Sequence, residues 1–365
     1  MPGLRISSSL VLPTDAVTQT FGILAVRGAG KSNTARVMAE EMFAAKLPFV
    51  AIDPVGSWWG LRAGRDGKAG GIPVPIFGGR HGDVPLERGA GAMIADLVVS
   101  QRLSCVLDVS EFSEGDKIRF LIDFAETLYR KNEHPLHLFL EEADDYVPQR
   151  PFREQARLLR AWENIVRRGR SRGLGITLIT QRSAAVNKSV LTQIETLIAL
   201  RTTSPQDRRA IEAWVETHGQ AEDILESLPG LPSGEAWVWS PSWLQACERV
   251  KMRLCRTFDS GATPKDLRGG KRVSTLADVD LGEIKTQMSA TIERARAEDP
   301  RELRKEIAAL KAQLQKMKAP LRQRIFMECL KVVPAGPVTT KYNDWAEVVG
   351  ACDNAARQQS LEYCD

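Results

Sequence analysis

Short runs dominated by Val, Ile and Leu punctuate the first two-thirds of the chain. They are FGILAV (Phe21 to Val26), PFVAID (Pro48 to Asp53), SCVLDVS (Ser104 to Ser110), LHLFLEE (Leu136 to Glu142), GITLIT (Gly175 to Thr180) and TLIALR (Thr196 to Arg201). Each is too short for a helix and sits beside turn residues, which predicts a strand. Segments of helical period separate them, legible over Ser32 to Ala45, Lys117 to Arg130 and Phe152 to Arg168. Alternating strands and helices predict an α/β fold with a mainly parallel sheet covered by helices. Gly60 to Arg88, rich in Gly and Pro, predicts a long loop with one short strand. EAWVWS (Glu235 to Ser240) predicts a further strand, with the segment from Glu248 to Phe258 pairing beside it as an edge hairpin.

The pattern changes near Gly261. A Gly- and charge-rich stretch to Lys271 reads as a linker, so the sequence divides into a principal domain over 1–264, a linker and helix over 265–298, a coiled-coil-like helix over 299–318 and a small helical module over 319–365. Asp299, Pro300 and Glu302 fit the N-cap, first and third helical positions of a capping box. Leu303, Ile307, Leu310, Leu314 and Met317 then recur at spacings of four and three, the stripe of a coiled-coil seam or of a helix packed on its own domain.

Composition adds little. With 50 basic against 46 acidic side chains the net charge is +4, so no nucleic-acid or membrane partner follows from charge alone. Cys105, Cys247, Cys255, Cys329, Cys352 and Cys364 form no C-x-x-C pair, which argues against a zinc site or a disulfide framework. No stretch approaches the ~18 apolar residues of a membrane span and no signal peptide is legible, so the expectation is a soluble, cytoplasmic protein.

The chemistry lies between strands and helices. AVRGAGKS (Ala25 to Ser32) follows one predicted strand and opens a helix, the setting that a phosphate-binding loop requires. Gly28 and Gly30 let backbone N–H groups turn toward phosphate oxygens at a helix N-terminus. Arg27, Gly28, Ala29, Gly30, Lys31, Ser32 and Asn33 are therefore candidate nucleotide-binding residues. Lys31 reaches the β and γ phosphates of ATP in this reading, and the Ser32 hydroxyl ligates Mg²⁺. Ala25 stands where the usual motif opens with glycine.

LHLFLEE ends in two acids at the carboxyl end of its strand, the edge where such sheets bind ligands. Glu142 is the candidate that polarises the attacking water, and Glu141 the one that holds Mg²⁺ through its water shell. Gln181, ending the GITLIT strand, is the candidate γ-phosphate contact. Along the chain SCVLDVS intervenes between the phosphate-loop strand and the acidic strand. Such an inserted strand predicts the RecA-like, additional-strand arrangement of P-loop ATPases.

GILAVRGAGKSNTA, VAIDPVGSWWG, LFLEEAD, RRGRSRGLGITLITQR and LPSGEAWV follow in an order that resembles the HerA/FtsK superfamily, with HerA-like helicase-domain ATPases nearest, over roughly Leu10 to Pro264. The resemblance implies a hexameric ring motor acting on double-stranded DNA. It gives Lys31, Ser32, Glu141, Glu142 and Gln181 the roles above and marks Asp53 as an acid near the site. The sequence departs from the group at Glu141, where Asp is usual, and at Ser57, Trp58 and Trp59, where an acidic-aromatic pair is common. Some twenty residues precede the phosphate-loop strand where HerA proteins carry a β-barrel, so the resemblance does not transfer a docking partner.

Eight arginines, at 150, 153, 157, 160, 167, 168, 170 and 172, crowd the segment that includes the helix from Phe152. Leu158, Leu159, Trp162, Ile165 and Val166 form its apolar face, and Arg153, Arg157, Arg160 and Arg167 the other. By resemblance Arg167 and Arg170 match arginines that cross a subunit interface to a neighbour's phosphate. DNA passing through a ring would be held by its backbone, without base readout. Two functions are consistent with these residues: a DNA-dependent ring ATPase, or an ATP-dependent switch subunit that organises a nuclease or other effector.

Overall fold

A computed structural model describes residues 3–218, 222–261, 273–289 and 307–314. The strands are β1 (Leu4–Arg5), β2 (Val11–Leu12), β3 (Thr20–Leu24), β4 (Phe49–Asp53), β5 (Ile76–Phe77), β6 (Cys105–Asp108), β7 (Leu136–Glu141), β8 (Leu174–Thr180), β9 (Thr196–Leu200), β10 (Glu235–Ser240) and β11 (Ala246–Lys251). The helices are α1 (Lys31–Ala44), α2 (Gly91–Gln101), α3 (Glu114–Lys131), α4 (Gln155–Arg168), α5 (Lys188–Leu191), α6 (Pro205–His218), α7 (Glu222–Ser227) and α8 (Gly282–Gln287).

Nine strands form one sheet in the order β11-β10-β9-β3-β8-β7-β4-β6-β5. All pairings from β9 to β5 are parallel, and β10 and β11 add an antiparallel hairpin at the β9 edge. Strands β3, β4, β6, β7, β8 and β9 are buried along their whole length, because both faces of the sheet are covered. Alternate residues serve alternate faces. Val50, Ile52, Leu138 and Leu140 join the core beneath α2, α3 and α4, whereas Phe49, Ala51 and Phe139 pack with α1 and with β1 and β2.

The strand between the phosphate-loop strand β3 and the acidic strand β7 is β8, the GITLIT run, and SCVLDVS (β6) instead pairs outside β4. Chain order misleads here for a physical reason. After β4 the long loop carries the chain to the far edge, where β5 forms, and the chain then walks back through β6, β7, β8 and β9. The returning helices α2, α3, α4 and α5 all contribute to one core face, as uniform crossover handedness demands. The additional-strand arrangement holds with a different strand filling the place.

The sheet's other face is closed by charge. Helix α1 buries Arg36, Glu40 and Glu41, each held by the segment that follows β11. Arg36 pairs with Asp259 at 2.7 Å and donates to the Ser57 carbonyl at 2.8 Å. Arg253 reaches Glu40 and Glu41 at 2.8 Å each, Arg256 reaches Glu41 at 2.6 Å, and Glu40 also accepts from the Thr257 N–H at 2.8 Å.

Two compact units divide between Ala295 and Arg296. Beyond residue 264 the first unit also takes in Ile284 and Met288, buried in its core, and the Ala277 carbonyl, which accepts from Arg62 at 2.8 Å. In the second unit the described helix, 307–314, leaves Ile307, Leu310 and Leu314 about half exposed. The capping box at 299–302, Leu303, Met317 and the module over 319–365 lie outside the described residues. Among the described residues no helix is long and apolar enough to cross a membrane.

Replacing Arg253 by Met strips Glu41 and Glu40 of a buried partner, and breaking a buried pair from one side costs about 3 kcal/mol. Urea denaturation is expected to show a loss of that order for R253M, and an unchanged midpoint would refute the charge closure.

Candidate active site

The loop after β3 turns through two left-handed glycines, Gly28 at φ 76° and Gly30 at φ 115°. It is the left-handed backbone at Gly30 that favours glycine, and a Cβ there would meet the Cα of Gly234 at van der Waals distance, 3.4 Å. The turn before β10 clamps the loop, the Gly234 N–H donating to the Ala29 carbonyl at 2.9 Å and the Ser233 hydroxyl to the Gly28 carbonyl at 3.0 Å. This is why LPSGEAWV, remote along the chain, belongs to the site.

Helix α1 starts at Lys31 with no side chain capping it. Among the described residues no protein acceptor meets the N–H groups of Gly28, Gly30, Lys31 or Ser32. Orphan donors at a helix start, with two left-handed glycines before them, suit a phosphate chain. Lys31 is buried at the head of the helix and Arg27 is exposed on the loop.

Opposite stand the acids. The Ser32 hydroxyl donates to Glu141 Oε1 at 3.2 Å, and the Trp58 indole Nε1–H donates to Oε2 at 3.2 Å. Glu141 is only 4% exposed. Burial pushes its carboxyl up to about 7, opposed by the Lys31 ammonium and reinforced by Asp53. Glu142 follows in the left-handed region at φ 51°, uncommon for a side chain of its size. Its Oε1 accepts from Gln181 Nε2 at 2.8 Å, and burial raises its pKa against the pull of Lys31. Lys31, Ser32, Glu141, Glu142 and Gln181, read separately from the sequence, thus come together at one sheet edge. Ser32 and Glu141 offer hard oxygen donors side by side, fitting Mg²⁺ that takes one or two protein oxygens and completes its shell with phosphate and water.

Other expected residues do different work. Asn33 does not face the nucleotide side: its amide donates to the Arg253 carbonyl at 2.8 Å and accepts from the Cys255 N–H at 2.9 Å, so it anchors the segment that closes α1. Asp53 builds a turn, its carboxylate accepting from the N–H groups of Val55, Gly56 and Trp58 at 3.0, 2.9 and 2.6 Å. Burial lifts it to about 6, opposed chiefly by the Trp58 N–H. Arg167 pairs with Glu163 at 3.3 Å and Arg170 with Glu195 at 3.1 Å. Glu195 also binds the Thr20 N–H at the start of β3, which places Arg170 at the opposite edge of the sheet from the phosphate loop. The sequence reading misses Trp58 and also Asp144, which accepts from the Thr180 hydroxyl at 2.6 Å. The acidic run after β7 is the only signal that pointed toward Asp144.

A parallel additional-strand sheet with a phosphate loop, a facing acid pair and a polar residue ending the intervening strand defines a P-loop ATPase. The family model described as the central domain of helicase HerA matches residues 6–163, and that of the helicase HerA-like C-terminal domain matches 132–264. Together they span most of the chain, which belongs to the HerA/FtsK-type P-loop ATPases. A DNA double-strand break repair helicase HerA from Pyrococcus furiosus is 29% identical over 168 residues, 46% of this chain and 28% of that protein. A probable DNA double-strand break repair helicase HerA from Methanocaldococcus jannaschii is 32% identical over 150 residues, 40% of this chain and 29% of that protein. The matched region thus spans under a third of the length of these relatives. The bacterial conjugative coupling protein TrwBdeltaN70 superposes with a TM-score of 0.50 at 12% identity, covering 71% of this chain and 91% of that one, a likeness of fold.

The raised carboxyl of Glu141 has a consequence for stability. From its ordinary value of 4.5 up to about 7 the folded chain keeps a proton that the unfolded chain has released. Stability is therefore lost as pH rises through that window. Glu141→Gln removes this dependence, so the variant should gain on the wild type by on the order of 3 kcal/mol between pH 4.5 and 8 without nucleotide. Parallel pH profiles of the two melting temperatures would contradict the burial argument.

Proposed function

We propose that the chain hydrolyses ATP as a subunit of a ring, hexameric by its family resemblance, and couples hydrolysis to moving or remodelling double-stranded DNA. The observation that carries this reading is the pairing of Glu142 with Gln181 beside Glu141 and Ser32, across from the unpartnered N–H groups of the phosphate loop. Glu142 accepts the proton of the attacking water, and the Gln181 amide orients that carboxylate. Lys31 and the loop N–H groups hold the triphosphate. Ser32 and Glu141 would hold Mg²⁺, which would supply positive charge to the phosphate oxygens.

The arginine geometry supports assembly. Arg167 and Arg170 are exposed at the strand-start edge, and β8 separates that edge from Gln181 by roughly 20 Å at ~3.3 Å per residue. Neither arginine can serve its own chain's loop across that distance. A neighbouring copy packed against this edge receives an arginine at its phosphate, a contribution of about 10³ to 10⁵ in rate where such fingers operate. The DNA-repair and helicase names of the relatives support duplex DNA as the moved polymer. The exposed stripe of Ile307, Leu310 and Leu314 favours a second reading, a switch subunit that presents this face to a nuclease or effector and does not translocate.

Lys31→Ala is expected to abolish nucleotide binding in a fluorescent-analogue titration. Glu142→Gln should keep binding while hydrolysis falls by about 10² or more, and tight binding by K31A would contradict the loop assignment. The specific ATPase rate should fall on dilution, and displacement of a roadblock bound to duplex DNA separates motor from switch. ATP turnover with the roadblock left in place would select the switch.

A further inference from the structure

Trp58 stands where the family commonly has an acidic-aromatic pair, and its surroundings give it a task. It is fully buried. Its own N–H is fixed at 2.6 Å by Asp53 Oδ2, while Asp53 Oδ1 holds the two preceding turn N–H groups of Val55 and Gly56. The carbonyl of Ser57, in the same peptide unit as that N–H, accepts from Arg36 and from the Ser260 hydroxyl. The indole lies against Phe139, a β7 residue, at 5.4 Å between centroids. Backbone and ring are thus held from three sides, and the one polar group left, Nε1–H, meets Glu141 Oε2 at 3.2 Å.

A carboxylate can rotate about its last bond, and a buried one whose oxygens have no fixed donors samples more than one orientation. Glu141 has a donor at each oxygen: the Ser32 hydroxyl, which belongs to the phosphate loop, and the indole, which belongs to the turn after β4. We propose that Trp58 is a positioning residue for the metal, its indole N–H locking Glu141 so that the other oxygen stays turned toward Ser32, with Asp53 acting one step further back by building the turn that aims the indole. This rests on the nucleotide reading above. It assigns to Asp53 a role apart from the nucleotide and explains why glutamate, longer than the usual aspartate, stands at 141: the longer side chain spans both donors.

The test is Trp58→Phe, which keeps an aromatic ring against Phe139 and removes only the donor. Binding of a fluorescent ATP analogue is measured at graded Mg²⁺ and again in chelator. The Mg²⁺ concentration for half-maximal enhancement should rise about tenfold in W58F, the loss expected for a hydrogen bond to a charged group, while binding in chelator stays at the wild-type level. On a Glu141→Gln background the same substitution should change nothing further, because its effect passes through that carboxylate. An unchanged Mg²⁺ requirement in W58F, or an equal loss in the E141Q background, overturns the proposal. Absence of any Mg²⁺ dependence in the wild type would instead sink the nucleotide reading itself. Should W58F fold poorly, the intact chain labelled with ¹⁵N-tryptophan answers the question: one indole N–H resonance must shift on E141Q substitution and again on adding Mg²⁺ with nucleotide, and silence of all indole signals to E141Q refutes the contact.

Discussion

The structure turns on one buried carboxylate. Placing Glu141 at the end of β7 with 4% of its surface exposed is costly unless donors and a cation surround it. The fold meets that demand with three groups from two separate segments: the Lys31 ammonium and the Ser32 hydroxyl at the start of α1, and the indole of Trp58 after β4. None of the three is near it in the chain. Bringing them together requires β3 and β4 to lie on either side of β8 and β7, which is the order the parallel crossovers enforce. Site and sheet therefore specify each other, and the same compensation that makes the carboxylate tolerable sets it beside the Ser32 hydroxyl.

The two sheet edges are chemically distinct as a result. At the strand ends lie the acids, the phosphate loop and the polar cap of β8. At the strand starts lie Arg170, Glu195 and the Thr20 N–H. Parallel strands create this polarity without further design, since every strand end faces one way. The chain therefore has an acidic side beside the phosphate loop and, at the other end of the strands, a side with surface arginines.

Local chemistry was legible in the sequence and long-range chemistry was not. AVRGAGKS and LHLFLEE declare themselves because a glycine turn, a lysine and a hydroxyl must be adjacent in the chain, and because an acid pair terminates an apolar run. Asn33 misled for the same reason: adjacency to Ser32 suggested a shared task, whereas its amide is bound to Arg253 and Cys255. Trp58 read only as a departure from a family pattern, since its partner is 83 residues away. SCVLDVS was placed by chain order, and the loop that carries the chain to the far edge before it has no hydrophobic period to betray where it goes. The polar, Gly-rich stretch up to Lys271 reads as a linker, and nothing local in it announces that Ile284 and Met288 beyond it return to the core.

The charges buried under α1 bear on how the site is held still while one side of it works. Arg36, Glu40 and Glu41 would disrupt an apolar core, yet each is matched by an opposite charge from residues 253 to 259. The helix that presents the phosphate loop is thereby fixed along its length. The acidic side is built differently: Glu142 sits in a left-handed turn, and Tyr146 at the end of that turn packs on Trp162 of α4, with ring centroids 6.2 Å apart. Helix α4 runs on to Arg167 and leads into Arg170. The turn that carries Glu142 is thus in packed aromatic contact with the helix that ends at Arg168.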